Sequence, residues 1–228
     1  MDIAAITSAW VAGWTVSRGT PPALVEPWGY RIDVGRPGHA VRHVLPRPDA
    51  ASVGRLCAGV TQRDAWLKVM ATPEQVTPWL TDGWTIPDDP GFMMTRRLDA
   101  SLRPAAPEGY ARTTATKDGV IRVRILAPDG TPAARGQIAP TGATAVVDQV
   151  ETDPAHRRRG LGANVMRTLE AAAAQAGAHT GVLAATTDGM ALYDALDWYH
   201  RGPLTGIVRT APAPDPAPAP TAGPPAAE

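Results

Sequence analysis

The chain has 228 residues, 44% of them hydrophobic, which is enough for one large domain or two small ones with a real core. Its 22 basic and 22 acidic residues give a formal net charge of zero, so the bulk charge indicates neither nucleic acid nor an anionic membrane as a partner. The single cysteine excludes an internal disulfide and a cluster of thiolate metal ligands, and the apolar neighbours of Cys57 predict a buried packing residue.

The first hundred residues are predicted to form an αβ half of the protein. They carry neither a basic leader nor a long apolar run, so neither a signal peptide nor a membrane span is predicted, and a cytoplasmic protein is expected. The first element is a helix over Ile3–Ser17, with Trp10 and Trp14 on related turns. Strands are predicted at Gly29–Val34, Ala40–Leu45, Ala65–Met70 and Gly91–Leu98, and helices at Ala50–Val60 and Pro73–Leu80.

A second αβ unit follows a proline-containing linker, Asp99–Glu108. The residues from Ala211 onward alternate proline with small residues and are predicted to be disordered. The predicted division is therefore 1–100, 106–210 and a tail at 211–228. Within the second unit the predicted strands are Tyr110–Thr114, Val120–Leu126, Ala133–Ile138, Ala143–Thr152, Gly181–Ala185, Trp198–Tyr199 and Thr205–Thr210, and the predicted helices are Leu161–Ala176 and Asp188–Leu196.

The stretch Val146–Ala163 carries the strongest chemical signal in the chain. A valine-rich strand runs into a turn and then into a run of three arginines, which opens directly into a helix. Gly160 and Gly162 allow the backbone to approach a ligand closely, and the helix start offers unpaired N–H groups and the positive end of a dipole. This combination predicts an anion cradle, and a pyrophosphate is its natural ligand.

The motif Arg157-Arg158-Arg159-Gly160-Leu161-Gly162 resembles the (Gln/Arg)-x-x-Gly-x-(Gly/Ala) signature of the GNAT superfamily of N-acetyltransferases. About thirty residues later, Ala191–Trp198 is similar to the Leu-Tyr-x-x-x-Gly-Phe segment of that family, with Asp197 in place of the glycine and Trp198 in place of the phenylalanine. Thr186 stands where the family often has asparagine. The resemblance covers Tyr110–Arg209.

The resemblance implies an α/β (α+β) fold: a GNAT-like mixed twisted sheet flanked by helices. Residues 1–100 repeat the order of elements but lack the arginine and glycine cradle, so they resemble a degenerate GNAT unit in a tandem arrangement. The second unit also lacks the two early helices of the family. The first half is therefore expected to wall the acceptor side without binding cofactor.

The resemblance further implies acetyl-CoA as co-substrate, without a metal. Its pyrophosphate is expected on the amides of Arg158–Ala163, and its pantetheine arm beside Val150–Thr152. The residues expected to bind it are Val150, Glu151, Thr152, Arg157, Arg158, Arg159, Gly160, Leu161, Gly162 and Ala163.

Two residues are candidates for the proton transfers of acyl transfer. Tyr193 matches the general-acid tyrosine of the family, and a phenol with a reference pKa of about 10 can protonate a departing thiolate. Strict alternation puts Asp148 on the same face of its strand as Val146, Val150 and Thr152. An acid on that face is either the base or amine-binding group, or a structural partner of a core arginine. Both interpretations of Asp148 stay open.

The function predicted from these residues is direct acetyl transfer from acetyl-CoA to a primary amine of a small molecule or peptide, in a bacterial protein. The alternatives are a non-catalytic acyl-CoA-binding regulatory module, and an acyltransferase with a longer acyl group or an oxygen acceptor. His39 and His43 are candidates to face the cleft between the halves, and His156 is expected to pack beside the cradle. No pair of histidines has metal-ligand spacing with an acid.

Overall fold

A computed structural model describes residues 1–87 and 90–210, so the predicted tail at 211–228 lies outside the described residues. The helices are α1 (Ile3–Arg18), α2 (Ala50–Gly59), α3 (Pro73–Val76), α4 (Leu161–Gln175) and α5 (Thr187–Asp194). The strands are β1 (Leu24–Glu26), β2 (Gly29–Arg36), β3 (His39–Leu45), β4 (Ala65–Val69), β5 (Trp84–Thr85), β6 (Gly91–Arg97), β7 (Ala111–Lys117), β8 (Val120–Leu126), β9 (Pro132–Thr141), β10 (Thr144–Thr152), β11 (Thr180–Thr186) and β12 (Tyr199–Arg209).

The strands of the described residues form one twelve-stranded mixed sheet, in the order β1-β2-β3-β4-β12-β6-β11-β10-β9-β8-β7, with β5 paired to β12. Mixed pairing and helices on the sheet faces confirm the predicted fold class. Strand β6 belongs to the first hundred residues, yet it lies between β11 and β12 of the second unit. Strand β12 in turn pairs with β4 and β5 of the first half. The halves therefore exchange strands near the middle of the sheet.

The pairing directions show which strands begin and which strands end at each end of the sheet. β3 and β4 are parallel. β12 runs antiparallel to β4, β6 runs antiparallel to β12, and β11 runs antiparallel to β6. β10 is parallel to β11. It follows that β10 and β11 end at the same end of the sheet at which β3 and β4 begin.

Helix α1 lies on one face of the sheet and contacts β9, β10 and β11. It approaches β10 so closely that a Cβ on Gly13 would overlap the Val146 side chain. Trp10 and Trp14 on the same helix pack in a core with Val44 of β3 and Val146 of β10. A helix from residues 1–100 thus covers the sheet of the second unit, on which the sequence shows no early helices of its own.

Helix α4 covers the opposite face, where Leu161, Val165 and Leu169 are buried against the inner residues of β8, β9 and β10. This core contains an ionisable group, Glu170, which is 1% exposed. Its Oε1 accepts a hydrogen bond from Trp198 Nε1 at 2.8 Å, and its Oε2 lies 3.3 Å from Arg96 Nε. Burial raises the pKa of Glu170, against the opposing effects of these two partners. The ring of Trp198 fits because Gly181 has no side chain where the ring lies.

Most elements predicted from the sequence are confirmed with small changes at their ends. Trp198–Tyr199 and Thr205–Thr210 were predicted as separate strands. Tyr199 and residues 205–209 belong to the single strand β12, and Trp198 and Thr210 lie just outside it. The predicted helix Pro73–Leu80 is a single α-helical turn followed by a 3₁₀ turn, because Pro78 removes a backbone donor. The buried packing role predicted for Cys57 is confirmed.

We expect Trp198→Phe to lower the free energy of unfolding by about 1–3 kcal/mol, because Glu170 Oε1 then has no donor in a buried site. Denaturant unfolding monitored by circular dichroism measures the loss. Trp66→Phe is the matched control, since Trp66 donates to the Gly38 carbonyl at an exposed position where water replaces the bond. Equal losses in the two variants would contradict a stabilising role for the buried bond.

Candidate active site

The sheet opens between two neighbouring parallel strands, β10 and β11. Their register runs only from Thr144–Thr180 to Val146–Val182, and beyond Val146 no described residue pairs with this edge of β10. On its other side β11 stays paired with β6 along its whole length. The facing edges of β10 and β11 therefore expose backbone N–H and C=O groups, to which an extended ligand with amide groups can hydrogen-bond.

A β-bulge in β10 lies beside this opening. The register with β9 shifts between Asp148 and Glu151, and Gln149 has a left-handed φ of 54°. The bulge reverses the alternation of side chains, so Val150 packs in the core under α4 while Val146 packs under α1. The prediction that Val146 and Val150 share a face was therefore wrong, because it assumed an uninterrupted strand.

The arginine and glycine motif folds as a tight loop at the end of β10. Arg158 and Gly160 both have left-handed backbone conformations, with φ of 62° and 74°, and Gly160 is the N-cap of α4. Gly160 has no side chain to cap the helix, and a Cβ placed on it would meet no protein atom within 4 Å. The first amides of α4 therefore have no side-chain cap, and they lie at the positive end of the helix dipole, as in the predicted anion cradle.

Two of the three arginines are tethered to the protein around this loop. Arg157 Nε donates to the carbonyl of Thr152 at 3.4 Å, and Arg159 donates to the Tyr110 hydroxyl at 3.1 Å. The Tyr110 hydroxyl is also 3.1 Å from His156 Nδ1, with the two rings edge to face. The packing role predicted for His156 is confirmed, and its contact with Tyr110 supports the loop.

Gly162 in the first turn of α4 lies against Leu192, near the C-terminal end of α5. A Cβ on Gly162 would lie 3.2 Å from Leu192 Cδ2 and 3.4 Å from Thr152 Oγ1, so only a very small residue fits there. The structure therefore places the cradle, the end of β10 and the helix that carries Tyr193 at one end of the opening.

Tyr193 lies near the C-terminal end of α5 and packs against the core under α4. Its ring packs against Gly189, because a Cβ on that residue would lie only 2.9 Å from Tyr193 Cε2. Burial raises the pKa of Tyr193 to about 12, and the negative charge of Asp148 contributes to the same shift. The phenol therefore stays protonated at neutral pH, and Asp148 is near enough to interact with it.

The departures from the family motif around Tyr193 have local structural explanations. Thr186 is the N-cap of α5, and its hydroxyl accepts from the Gly189 amide at 3.3 Å. Asp197 adopts a left-handed φ of 56°, a conformation that aspartate tolerates better than most residues, so the turn forms without glycine. Trp198 gains the buried hydrogen bond to Glu170 that a phenylalanine could not form.

Asp148 forms an ion pair with the last residue of α1. Its two oxygens accept from Arg18 at 2.5 and 2.8 Å, from the Ser17 hydroxyl at 2.8 Å and from the Gln149 amide at 3.0 Å. The Asp148 side chain is 12% exposed. Gln137 of β9 donates to both the carbonyl and the hydroxyl of Ser17 and completes the network. Four donors saturate a carboxylate, which has about four acceptor sites.

Arg42 of β3 is a buried charged residue that was not predicted to belong to the site. Its side chain lies on the Trp14 ring, 3.9 Å from the centroid, and its Nε donates to His39 Nε2 at 3.1 Å. Arg42 is 7% exposed, and burial lowers its pKa to about 9. A desolvated cation–π contact contributes about 2 kcal/mol, whereas burying an ion costs several kcal/mol. Among the described residues, no carboxylate lies within ion-pair distance of Arg42, although the charge of Asp148 raises its pKa and so offsets part of the cost.

The corresponding strands of the first half do not open. β3 and β4 are paired from Val41–Ala65 to Leu45–Val69, up to their last residues. The helix that follows β3 begins at Asp49, whose carboxylate accepts from the Ser52 amide at 2.8 Å. An acid thus occupies the helix start where α4 has Gly160, and it repels a phosphate.

Two of the three predicted groups of site residues meet in space: the cradle residues 157–163 with the end of β10, and Tyr193 beside them. Asp148 lies on the α1 side of the same opening. Ser17, Arg18 and Gln137 were not predicted as partners of Asp148. Ser17 and Arg18 lie 131 and 130 residues from Asp148, whereas Gln137 is its neighbour across the β9–β10 pair. The family motif contains no information on these partners of Asp148, because it covers only residues that are contiguous in the sequence.

The described residues contain no group of three or more His, Cys, Asp or Glu side chains arranged to hold a metal ion. None of the helices in residues 1–87 and 90–210 is long and apolar enough to cross a membrane.

Comparison with solved structures shows the same fold in GNAT proteins. The chain is similar to a GCN5-related N-acetyltransferase from Kribbella flavida, with a TM-score of 0.61, 19% identity, and coverage of 92% of this chain and 96% of that one. A GCN5-related N-acetyltransferase from Sphaerobacter thermophilus has a TM-score of 0.53 and 11% identity, with 89% and 90% covered. A tandem GNAT protein from the clavulanic acid biosynthesis pathway has a TM-score of 0.50 and 14% identity, with 65% of each chain covered.

No curated protein matches the chain. The model of the acetyltransferase (GNAT) family matches residues 79–199, which is just over half of the 228 residues. That match begins before β6 and ends in β12, so it includes the exchanged strand together with the opening, the cradle and Tyr193. The chain belongs to the GNAT family of acetyltransferases.

Proposed function

We propose that this protein transfers an acetyl group directly from acetyl-CoA to a primary amine of a small molecule or peptide. The observation that carries the proposal is the opening between β10 and β11 beyond Val146, next to an uncapped helix start at Gly160. A linear molecule with a pyrophosphate at one end and amides along its arm fits this pair of features. The co-substrate supplies an activated acyl group as a thioester.

The residues of the cradle and of β10 hold the co-substrate in this proposal. The amides at the start of α4 bind the pyrophosphate, and Arg158 adds positive charge beside them. The exposed backbone of Val150–Thr152 pairs with the amides of the pantetheine arm. Binding the arm in this way fixes the thioester relative to the acceptor, which alone contributes several kcal/mol to lowering the barrier.

Tyr193 acts as the general acid. The nitrogen of the acceptor forms the new C–N bond, the C–S bond breaks, and the phenol of Tyr193 gives its proton to the thiolate sulfur. The nitrogen releases one proton, which restores the phenol through solvent, so charge and protons balance. The raised pKa of Tyr193, about 12, keeps the phenol protonated at neutral pH, and it also makes Tyr193 a weaker acid than a free tyrosine.

Asp148 acts as a positioning residue in this proposal. Its oxygens already accept four hydrogen bonds, two of them from Arg18, so accepting a proton would break part of an existing ion pair. The network fixes the end of α1 against the bulge of β10. Asp148 thereby sets the width of the opening at the position where the acyl group lies.

A non-catalytic acyl-CoA-binding module is the second candidate function. Such a module needs the cradle but has no use for a buried, protonated phenol at the opening. The position of Tyr193 behind the helix start, with Gly189 making room for its ring, therefore favours an enzyme.

Acetyl-CoA should raise the melting temperature, because a ligand at about 100 times its Kd stabilises the native state by about 2.7 kcal/mol. Gly160→Trp should abolish the shift, since its side chain enters the space in front of the helix start. Gly142→Trp is the control: Gly142 has a similar φ of 69° and open space, at the other end of β10. A shift retained in Gly160→Trp would disprove the cradle assignment.

Titration calorimetry should give one site per chain, because the first half has Asp49 at the equivalent helix start.

Tyr193→Phe should lower kcat by roughly 10²-fold and leave acetyl-CoA affinity unchanged, because it removes one hydroxyl and keeps the ring packing. Steady-state kinetics with a panel of primary amines, together with calorimetry, measures both quantities. Tyr199→Phe makes the same chemical change at an exposed residue and should have the kcat of the wild type. If Tyr193→Phe also turns over at the wild-type rate, Tyr193 is only a packing residue. If the wild type itself acylates no amine of the panel, the non-catalytic module becomes the better interpretation.

Asp148→Asn should lower the free energy of unfolding by about 1.5–3 kcal/mol, since it weakens charged hydrogen bonds at a largely buried position. Below the melting transition, its kcat should stay within a few-fold of the wild type across the pH range. Asp33→Asn is the control, because the exposed pair of Asp33 with Arg31 contributes little. A stable Asp148→Asn protein whose rate falls specifically on the acidic side would instead identify Asp148 as the base.

A further inference from the structure

A group of cations lies on the α1 side of the opening, around the ring of His39. Arg42 and Arg18 both lie over the Trp14 ring, with the guanidinium carbons 3.9 and 5.5 Å from its centroid. Arg36 donates to the Arg18 carbonyl at 2.6 Å. We call Arg18, Arg36 and Arg42 the cationic cluster, and a fourth cation, Lys68 of β4, lies beside it.

Aromatic rings connect the cluster to β4. The His39 ring lies 6.0 Å from Trp14 and 5.6 Å from Trp66, and Lys68 Nζ lies 4.5 Å from the centroid of Trp66. Burial, followed by the four cations, lowers the pKa of His39 to about 3, so the ring is neutral and its Nε2 accepts from Arg42. The charge of the cluster is therefore not reduced or increased by His39 at neutral pH.

The charge of the cluster is out of balance with its surroundings. The whole chain has a net charge of zero, yet three arginines meet here, and among the described residues Asp148 is the carboxylate that forms an ion pair with them. Asp148 pairs with Arg18, on the rim of the opening. Arg42 is more than nine-tenths buried, and the bond from its Nε to His39 is its one hydrogen bond to the described residues. Its two terminal nitrogens, with four N–H groups, have no acceptor there.

The position of the cluster places it on the acceptor side of the proposed reaction. β3 and β4 begin at the end of the sheet where β10 and β11 end, so Arg42 and Trp66 lie at the open end. The cradle belongs to α4, on the other face of the sheet, whereas Arg18 belongs to α1. The cationic cluster and the cradle therefore lie on opposite faces of the sheet.

We propose that the acyl acceptor carries an oxyanion, a carboxylate or a phosphate, and that this group binds the cationic cluster with Arg42 as its principal ligand. This inference rests on the proposed function, because it assigns the acceptor class of the same site. A guanidinium offers two parallel N–H groups that match two oxygens of either anion. The Trp14 ring holds the guanidinium flat, so that little side-chain freedom is lost when the anion binds.

Matched acceptor pairs test the proposal in the full chain saturated with acetyl-CoA. The probes are β-alanine with β-alaninamide, and phosphoethanolamine with ethanolamine, so each pair differs in the anion and keeps a primary amine. We expect the anionic member to have a kcat/KM at least about tenfold higher than its neutral partner, in at least one pair. The pair with the larger ratio identifies carboxylate or phosphate as the preferred group.

Calorimetry of the same four probes against the CoA-saturated protein provides a readout that does not depend on turnover. The anionic probe should bind at least about tenfold more tightly than its neutral partner, and added salt should weaken the difference. Equal binding of the anionic and neutral members of both pairs overturns the proposal. If the anionic members bind preferentially and no amine is acylated, the anion site stands and the proposed acetyl transfer fails.

Substitutions locate the anion. Arg42→Met should remove the preference for the anionic member, raising its KM at least about tenfold, while the thermal shift by acetyl-CoA is retained. Because Arg42 is buried, Arg36→Met at an exposed position gives a second measurement and should lower the preference by a few-fold. Arg31→Met, on the same strand as Arg36 but paired with Asp33, is the matched control and should keep the full preference. Full preference in both Arg42→Met and Arg36→Met would overturn the assignment to this cluster.

Discussion

The structure depends on the docking of α1 across β10. Gly13 lets the helix backbone reach Val146, and one turn later Ser17 and Arg18 bind the Asp148 carboxylate. The first contact is apolar and sets the distance between helix and sheet, while the second is polar and sets the position of the helix along the strand. Because α1 belongs to the first half of the chain and β10 to the second, this contact also joins the halves. The strand exchange of β6 and β12 makes the same connection within the sheet.

The opening between β10 and β11 is a consequence of local backbone geometry at the end of this docked region. The strands stay paired up to Val146, where α1 lies against them, and separate immediately before the bulge that begins at Asp148. The bulge bends β10 and rotates Val150 into the core under α4, which anchors the displaced strand. The network of Asp148 holds the inner side of the bend, and Arg157 holds its outer end through the Thr152 carbonyl. A groove with exposed backbone groups is thus kept open by contacts on both of its sides.

The sequence was informative wherever the physical signal is local. The loop before α4 could be predicted because its glycines, arginines and helix start are contiguous, and the structure shows the left-handed Gly160 that such a loop requires. The bulge could not be predicted, since Gln149 is a non-glycine residue with positive φ and leaves the valine pattern intact. The partner of Asp148 could not be predicted either. The sequence analysis left a core arginine as one alternative, but Arg18 lies 130 residues away, and charge pairing at that distance has no sequence signature.

The two halves contribute differently to the site because their strands run in opposite directions at the shared end of the sheet. β10 and β11 end there, so the second half presents a helix start, which favours an anion. β3 and β4 begin there, so the first half presents side chains rather than a helix start, and those side chains include Arg42. At the opposite end, where the first half has its own helix start, Asp49 satisfies the amides with a carboxylate. The first half has no cradle, yet it can still shape the site. The strand exchange brings the starts of β3 and β4 to the acceptor side of the second half.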